Sequence, residues 1–69
     1  MPEPTIQFND HALPCVAGLT LATLLEAQQV NAERVATAVN ARFVPREARA
    51  DTALQPGDVV ITFEAIVGG

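Results

Sequence analysis

The stretch LTLATLLEAQQ, residues 19–29, decides the fold because it predicts a helix that is apolar on one side. Leu21, Leu24 and Leu25 fall at the i, i+3 and i+4 spacing of an amphipathic helix. Thr20 is placed to cap the first turn with its hydroxyl group. We expect the helix to end near the last glutamine of the stretch. A helix this short needs a partner for its leucines, so the sequence predicts a sheet beneath it.

Segments with strand patterns lie on both sides of this helix. Before it, alternating apolar and polar residues around an Asn-Asp-His turn predict a hairpin whose second strand, interrupted by Pro14, lies at a sheet edge. After it, β-branched runs and a Pro-Gly-Asp turn predict the remaining strands. The predicted strands are residues 5–8, 12–16, 35–39, 43–44 and 59–64. This order predicts an α+β fold, a mixed sheet of four to five strands with one main helix packed on one face.

Composition limits the classes of function. The chain of 69 residues is 49% apolar, which predicts one small folded domain rather than disorder. The net charge is −4 and lysine is absent, so nucleic acid would be repelled and a basic protein surface is the better partner. Arg42, Arg46 and Arg49 form the main basic cluster, which we interpret as part of a solvated loop.

Cys15 and His11 are the residues to test for nucleophilic or metal chemistry. Cys15 is the one cysteine of the sequence, and its place in an alternating strand indicates a small core residue. On one strand His11 would lie ~13 Å away, which is too far for a Cys–His pair. One histidine and one cysteine also make no metal site. We therefore expect no metal site and no Cys–His nucleophilic pair in this chain.

The sequence predicts a cytoplasmic protein that does not enter a membrane. Residues 1–4, Met-Pro-Glu-Pro, lack the basic start and apolar stretch of a signal peptide, and no apolar run reaches membrane-spanning length. A single cysteine suits a reducing compartment.

The sequence closes on Gly68-Gly69, directly after an apolar run. A carboxylate on two residues without side chains can enter a narrow active site, and glycine adopts backbone angles that other residues avoid. The alternative is an ordinary frayed terminus. We expect residues 1–64 to form the domain and residues 65–69 to form a flexible tail, which when extended reaches ~16 Å from the domain.

Short motifs along nearly the whole chain occur in the order and spacing of a known protein family. They are Phe8-Asn9-Asp10, Gly18 before the helix, Val44-Pro45-Arg46-Glu47, Gly57-Asp58 and the closing Gly68-Gly69. Together they resemble the thiamin sulfur carriers called ThiS. Asn40-Ala41 departs from the Asn-Gly of many relatives, so the turn there must tolerate a Cβ or change its type.

This resemblance implies a β-grasp fold similar to that of ubiquitin, with the first and last strands side by side and parallel. It implies a sulfur carrier that is not an enzyme, has no catalytic residue and no bound cofactor of its own, and is a monomer when free. In that family a ThiF-type activating enzyme uses ATP and Mg²⁺ to adenylate the C-terminal carboxyl group. Sulfur from a cysteine desulfurase relay then produces a thiocarboxylate, which a thiazole synthase of the ThiG type uses in thiamin biosynthesis.

The resemblance also implies roles for particular residues near the C-terminus. Gly69 would carry the acyl adenylate and then the thiocarboxylate. Gly68, Val67 and Ile66 would thread into the active sites of the partners.

The last predicted strand has two possible orientations. Periodicity alone favours Val59, Ile61 and Phe63 as the inward set, because it is the larger one. The resemblance implies the opposite, with Val60 and Thr62 over the helix. We adopt the second orientation, which leaves two large apolar side chains on the open face of the sheet. The candidate docking face for partners is then Ile61, Phe63 and Glu64.

Two other functions fit the same pattern. The small subunit of molybdopterin synthase shares the fold, tail and thiocarboxylate, but such subunits usually run longer. A protein modifier similar to ubiquitin would instead become attached to lysines of other proteins.

Overall fold

The structure is a computed structural model, and it describes residues 3–64. Within them, five strands form one mixed sheet in the order β2-β1-β5-β3-β4. The β1–β5 pair is parallel and the other neighbours are antiparallel. This architecture confirms the α+β prediction and the parallel pairing of the first and last strands. The elements are β1 (Thr5–Phe8), β2 (His11–Pro14), α1 (Leu21–Ala27), β3 (Val35–Val39), β4 (Arg42–Val44), a 3-10 helix (Arg46–Asp51) and β5 (Val59–Glu64).

Helix α1 begins as predicted and ends earlier than predicted. The Thr20 hydroxyl accepts a hydrogen bond from the Thr23 amide, and the Thr23 hydroxyl accepts one from the Thr20 amide, which completes a capping box. At the other end Gln29 adopts a left-handed φ of 57°. The Val30 amide then donates to the Leu25 carbonyl, and the Gln29 amide to that of Glu26. This is a Schellman ending, which usually uses glycine, so the glutamine gave no signal in the sequence.

The core lies between α1 and one face of the sheet. All three predicted helix leucines are buried in it, together with the inward residues of β1. Cys15 is half-buried and packs against this core, as predicted, but it lies just after β2 and not in the strand that the sequence predicted. Its thiol lies 3.7 Å from the Leu54 carbonyl oxygen. The buried apolar residues are Ile6, Phe8, Leu21, Leu24, Leu25, Val44, Leu54 and Val60.

The orientation of β5 follows the family resemblance and not the periodicity. Val60 is fully buried, whereas Ile61 is 43% exposed and Phe63 is 50% exposed. The cause is the parallel register, which pairs Val60 with the buried Phe8. Paired residues of neighbouring strands share a face of the sheet, so Val60 must turn inward and its neighbours outward. The prediction from periodicity alone was therefore wrong.

The interpretation of the basic cluster as a solvated loop is wrong for one of its members. Arg42 and Arg46 are exposed, but Arg49 lies in the 3-10 helix and is only 5% exposed. Its guanidinium donates to the Ala32 carbonyl at 2.7 Å, the Val35 carbonyl at 2.6 Å and the Thr37 hydroxyl at 3.2 Å. Burial lowers the pKa of Arg49 below its usual value, the charge of Arg46 lowers it further, and Glu47 opposes the shift.

The β3–β4 turn keeps a tight geometry despite the Cβ of Ala41. Asn40 and Ala41 have φ values of 51° and 68°, so both are left-handed, as in a type I′ turn. Asparagine tolerates this region, whereas alanine is strained there.

Replacing Ala41 with glycine is therefore expected to stabilise the protein by about 1 kcal/mol, because glycine adopts this φ without strain. The change is measured as a higher urea midpoint with an unchanged slope. The matched control is Ala38→Gly in β3, where the same substitution should cost about 0.5–1 kcal/mol through lost backbone entropy. A lower midpoint for Ala41→Gly would contradict the turn geometry.

Candidate functional site

Strand β5 leads toward the predicted reactive end of the chain. It lies between β1 and β3, and its pairing with β3 runs from Val39↔Val60 to Val35↔Glu64. Ile66, Val67, Gly68 and Gly69 lie outside the described residues, so the roles predicted for them, and the division into a domain and a tail, stay predictions. The sheet is described up to Glu64, the exposed residue that precedes the predicted tail.

The exposed apolar side chains of β4 and β5 share one side of the sheet, opposite α1. We call this the open face, and it consists of Phe43, Val59, Ile61 and Phe63. Phe43 is the most exposed of the four, at 66%. The register places Ala38 between Ile61 and Phe43, and Ala36 beside Phe63. Because both alanines are small, the large side chains next to them project further from the sheet. The result is a cluster of exposed apolar side chains on one face of the sheet.

The sequence identified only part of this open face. Ile61 and Phe63 lie where the docking prediction needs them, and Glu64 is exposed at the end of the same strand. Phe43 was predicted to be in a strand but was given no face. Its signal was the alternation with Val44, which is buried, so that the preceding residue had to point outward.

No nucleophilic or metal site is found in the described part of the chain. His11 is exposed at the start of β2, while the Cys15 thiol faces the Leu54 carbonyl. Among residues 3–64, no three His, Cys, Asp or Glu side chains lie together in a way that could hold a metal ion. The helices in that range are also too short or too polar to span a bilayer.

A groove of about 330 Å³ between α1 and the 3-10 helix is another candidate for a binding site. It is lined by Leu25 and Val30 on one side and by Arg46 and Arg49 on the other. The nitrogens Nε, Nη1 and Nη2 of Arg49 already donate to protein oxygens, and Arg46 donates to the Glu33 carbonyl. These arginines join elements of the fold, so we assign the groove a structural role.

The parallel pairing of β1 with β5, the helix on one face and the apolar face opposite define a β-grasp protein. Comparison with known proteins then identifies its kind. The ThiS family model matches residues 6–69, and the chain belongs to the ThiS family.

Two relatives show how close the match is. The chain is 42% identical over 64 residues to the sulfur carrier protein ThiS of Escherichia coli (strain K12), an alignment that covers 93% of this chain and 97% of that protein. It also matches the crystal structure of the thiamine biosynthesis protein ThiS from Geobacter metallireducens, with a TM-score of 0.80 and 30% identity. That match covers 94% of this chain and 99% of the other. The resemblance stated from the sequence motifs is therefore confirmed.

Proposed function

We propose that this chain is a sulfur carrier of thiamin biosynthesis and has no catalytic centre of its own. The observation that carries the proposal is the identity of 42%, over nearly the full length of both chains, to a protein named as a sulfur carrier. The β-grasp fold and the family match agree with it. In this role the chain is a co-substrate, acting in the cytoplasm as a monomer when free.

The reacting group in this proposal is the carboxylate of Gly69. A free carboxylate resists nucleophiles because it already carries a negative charge. Attack of one carboxylate oxygen on the α-phosphorus of ATP forms an acyl adenylate and releases pyrophosphate. A persulfide of the cysteine desulfurase relay then displaces AMP to form an acyl disulfide. A second thiol of the partner proteins attacks this S–S bond, which releases the thiocarboxylate for thiazole formation and leaves a disulfide on the partner. The ThiF-type activating enzyme supplies ATP, Mg²⁺ and the catalytic groups.

The residues before Gly69 have the properties that this reaction needs. Gly68 adds no Cβ, so the end of the chain can pass through a narrow opening in the activating enzyme or the thiazole synthase. We propose that Ile66 and Val67 thread into the same opening.

The open face is the surface on which we propose that these partners dock. Ile61 and Phe63 present apolar area next to Glu64, and Phe43 extends this area across the sheet. The net charge of −4 favours a partner whose rim is basic around an apolar centre.

Replacing Phe63 with serine is therefore expected to weaken binding to the activating enzyme by about tenfold or more, because a central aromatic residue of an interface is lost. Stability should change little, since the side chain is half-exposed. The matched control is Val16→Ser, which removes an apolar residue that is 58% exposed and lies outside the strands. The measurement is a titration of each variant with the activating enzyme. Equal losses in the two variants would argue against docking through the open face.

Growth of a strain that lacks this gene tests the proposed function against the alternatives. A sulfur carrier of thiamin biosynthesis predicts that added thiazole restores growth on medium without thiamin. Failure of thiazole to restore growth would contradict the proposal and turn attention to molybdopterin synthesis or protein modification.

A further inference from the structure

The side chain of Asn9 holds β5 just before its end. Asn9 follows β1 directly and has a left-handed φ of 54°. Its amide donates to the Val60 carbonyl at 2.8 Å. Its Oδ1 accepts from the Thr62 amide at 2.9 Å, and its Nδ2 donates to the Thr62 hydroxyl at 3.0 Å. One residue therefore binds β5 at two successive positions on the β1 side, and we call these Thr62 contacts the Asn9 clamp.

The Asn9 clamp replaces a missing rung of the parallel ladder. The amides of Gln7 and Asn9 donate to the carbonyls of Asp58 and Val60, at the even spacing of parallel strands. One more rung would have the Thr62 amide donate to the backbone carbonyl of Asn9. Since Asn9 turns into the β1–β2 hairpin, its side-chain carbonyl accepts that hydrogen bond instead.

The pairing of β5 with its two neighbouring strands therefore ends at different residues. On the β3 side, pairing reaches Glu64. On the β1 side, backbone pairing ends at Phe8↔Val60, and the Asn9 clamp extends it to Thr62. Without the clamp, the last residues of β5 would be anchored along one edge and free to twist about it. The Asn9 clamp is therefore the second anchor for the last residues of β5.

We propose that Asn9 is a positioning residue for sulfur transfer, because its hold on Thr62 fixes the end of β5, the last described element before Gly69. The inference rests on the proposed function. The carboxylate must reach the α-phosphorus of ATP inside the activating enzyme. A displaced end of β5 should therefore lower the rate of adenylation. Small misplacements of a reacting group slow a reaction strongly even when they arise far from it.

The variant Asn9→Gly tests this proposal with a close internal control. Glycine keeps the left-handed backbone and removes the carboxamide. The matched control uses Asn40, which also has a left-handed φ, of 51°. Its Oδ1 accepts from the Val59 amide at 2.9 Å, so it contacts the start of β5 instead of the end. Asn40→Gly therefore removes the same kind of contact from the same strand, at the end far from Gly69. Asn9→Asp should rescue the clamp, since a carboxylate can accept from both the Thr62 amide and its hydroxyl.

The rate of pyrophosphate release with the ThiF-type activating enzyme and ATP is the first readout. We expect kcat/KM to fall about tenfold for Asn9→Gly and to stay within about twofold of wild type for Asn40→Gly and Asn9→Asp. Equal losses for the two glycine variants would overturn the positioning role while leaving the proposed function intact. A wild-type chain that supports no pyrophosphate release would contradict the proposed function and, with it, this inference.

Amide hydrogen exchange supplies a readout that does not depend on activity. The Thr62 amide should exchange about tenfold faster in Asn9→Gly than in wild type, because its acceptor is gone, while the Ala36 and Ala38 amides stay protected. Unchanged exchange at Thr62 would show that the Asn9 clamp does not hold the strand.

Discussion

An Arg49→Met variant is expected to lose about 3 kcal/mol or more of its free energy of unfolding, a large part of the roughly 3–10 kcal/mol available to a domain of this size. Methionine can replace the apolar stem of the side chain but donates no hydrogen bond. The carbonyls of Ala32 and Val35 then lose their charged donor, and the Thr37 hydroxyl keeps only its bond to the Val44 carbonyl. Partly buried acceptors without partners account for the loss.

The loss at Arg49 is expected even though burial of a guanidinium is itself unfavourable. Burial lowers the pKa of Arg49, because a charged guanidinium loses hydration when it leaves water. The buried charge is offset by oxygens from β3 and from the segment before it, so the side chain joins the 3-10 helix to that region. If only the cation is removed, the oxygens stay buried but lose the hydrogen bonds from the guanidinium that offset the cost of burying them.

Urea denaturation of Arg49→Met beside Arg46→Met provides the measurement. Arg46 belongs to the same 3-10 helix, is exposed and donates one hydrogen bond, to the Glu33 carbonyl at 3.2 Å. Its replacement should change stability by about 0.5 kcal/mol at most. Similar midpoints for the two variants would show that the buried guanidinium is not a main support of the fold.

Deletion of Gly69 is expected to reduce activation by the ThiF-type enzyme by about a hundredfold or more, because the new terminal carboxylate ends about 3.5 Å short of the reacting position. The fold should keep its urea midpoint, since the core lies among residues 6–60. The rate of pyrophosphate release measures the effect.

Gly68→Ala is the companion variant for this deletion. It preserves the chain length and the terminal carboxylate and adds one Cβ. A narrow entry to the active site predicts an intermediate loss of about tenfold. Activation of the Gly69 deletion at the wild-type rate would contradict the role of that residue.

The local patterns of the sequence were sufficient for most of the fold. The strand segments, the capped start of α1 and the inward leucines follow from periodicity and turn residues. Periodicity failed at β5, where both sets of side chains are apolar and the register with β1 decides which set is buried. It also failed at Gln29, because a left-handed helix end made by glutamine has no distinctive residue.

The features that the sequence missed are contacts between residues far apart in the chain. The Asn9 clamp joins residues 53 positions apart, and Arg49 binds residues 12 to 17 positions away. From the sequence alone, Asn9 is predicted to be a turn residue and Arg49 to be one of several exposed cations. Only the packing of the 3-10 helix against the β3 region distinguishes Arg49 from Arg46. The place of Phe43 on the open face likewise depends on pairing between strands, because its register with Ala38 sets it across β3 from Ile61.

The intact mass of the purified chain, taken after incubation with the ThiF-type activating enzyme, ATP and a sulfur source, tests the central claim most directly. The account predicts replacement of one oxygen by sulfur, located at Gly69 by fragmentation, and no exchange when ATP is omitted. An unchanged mass in the complete mixture, with an activating enzyme that is active on a known ThiS carrier, would contradict it.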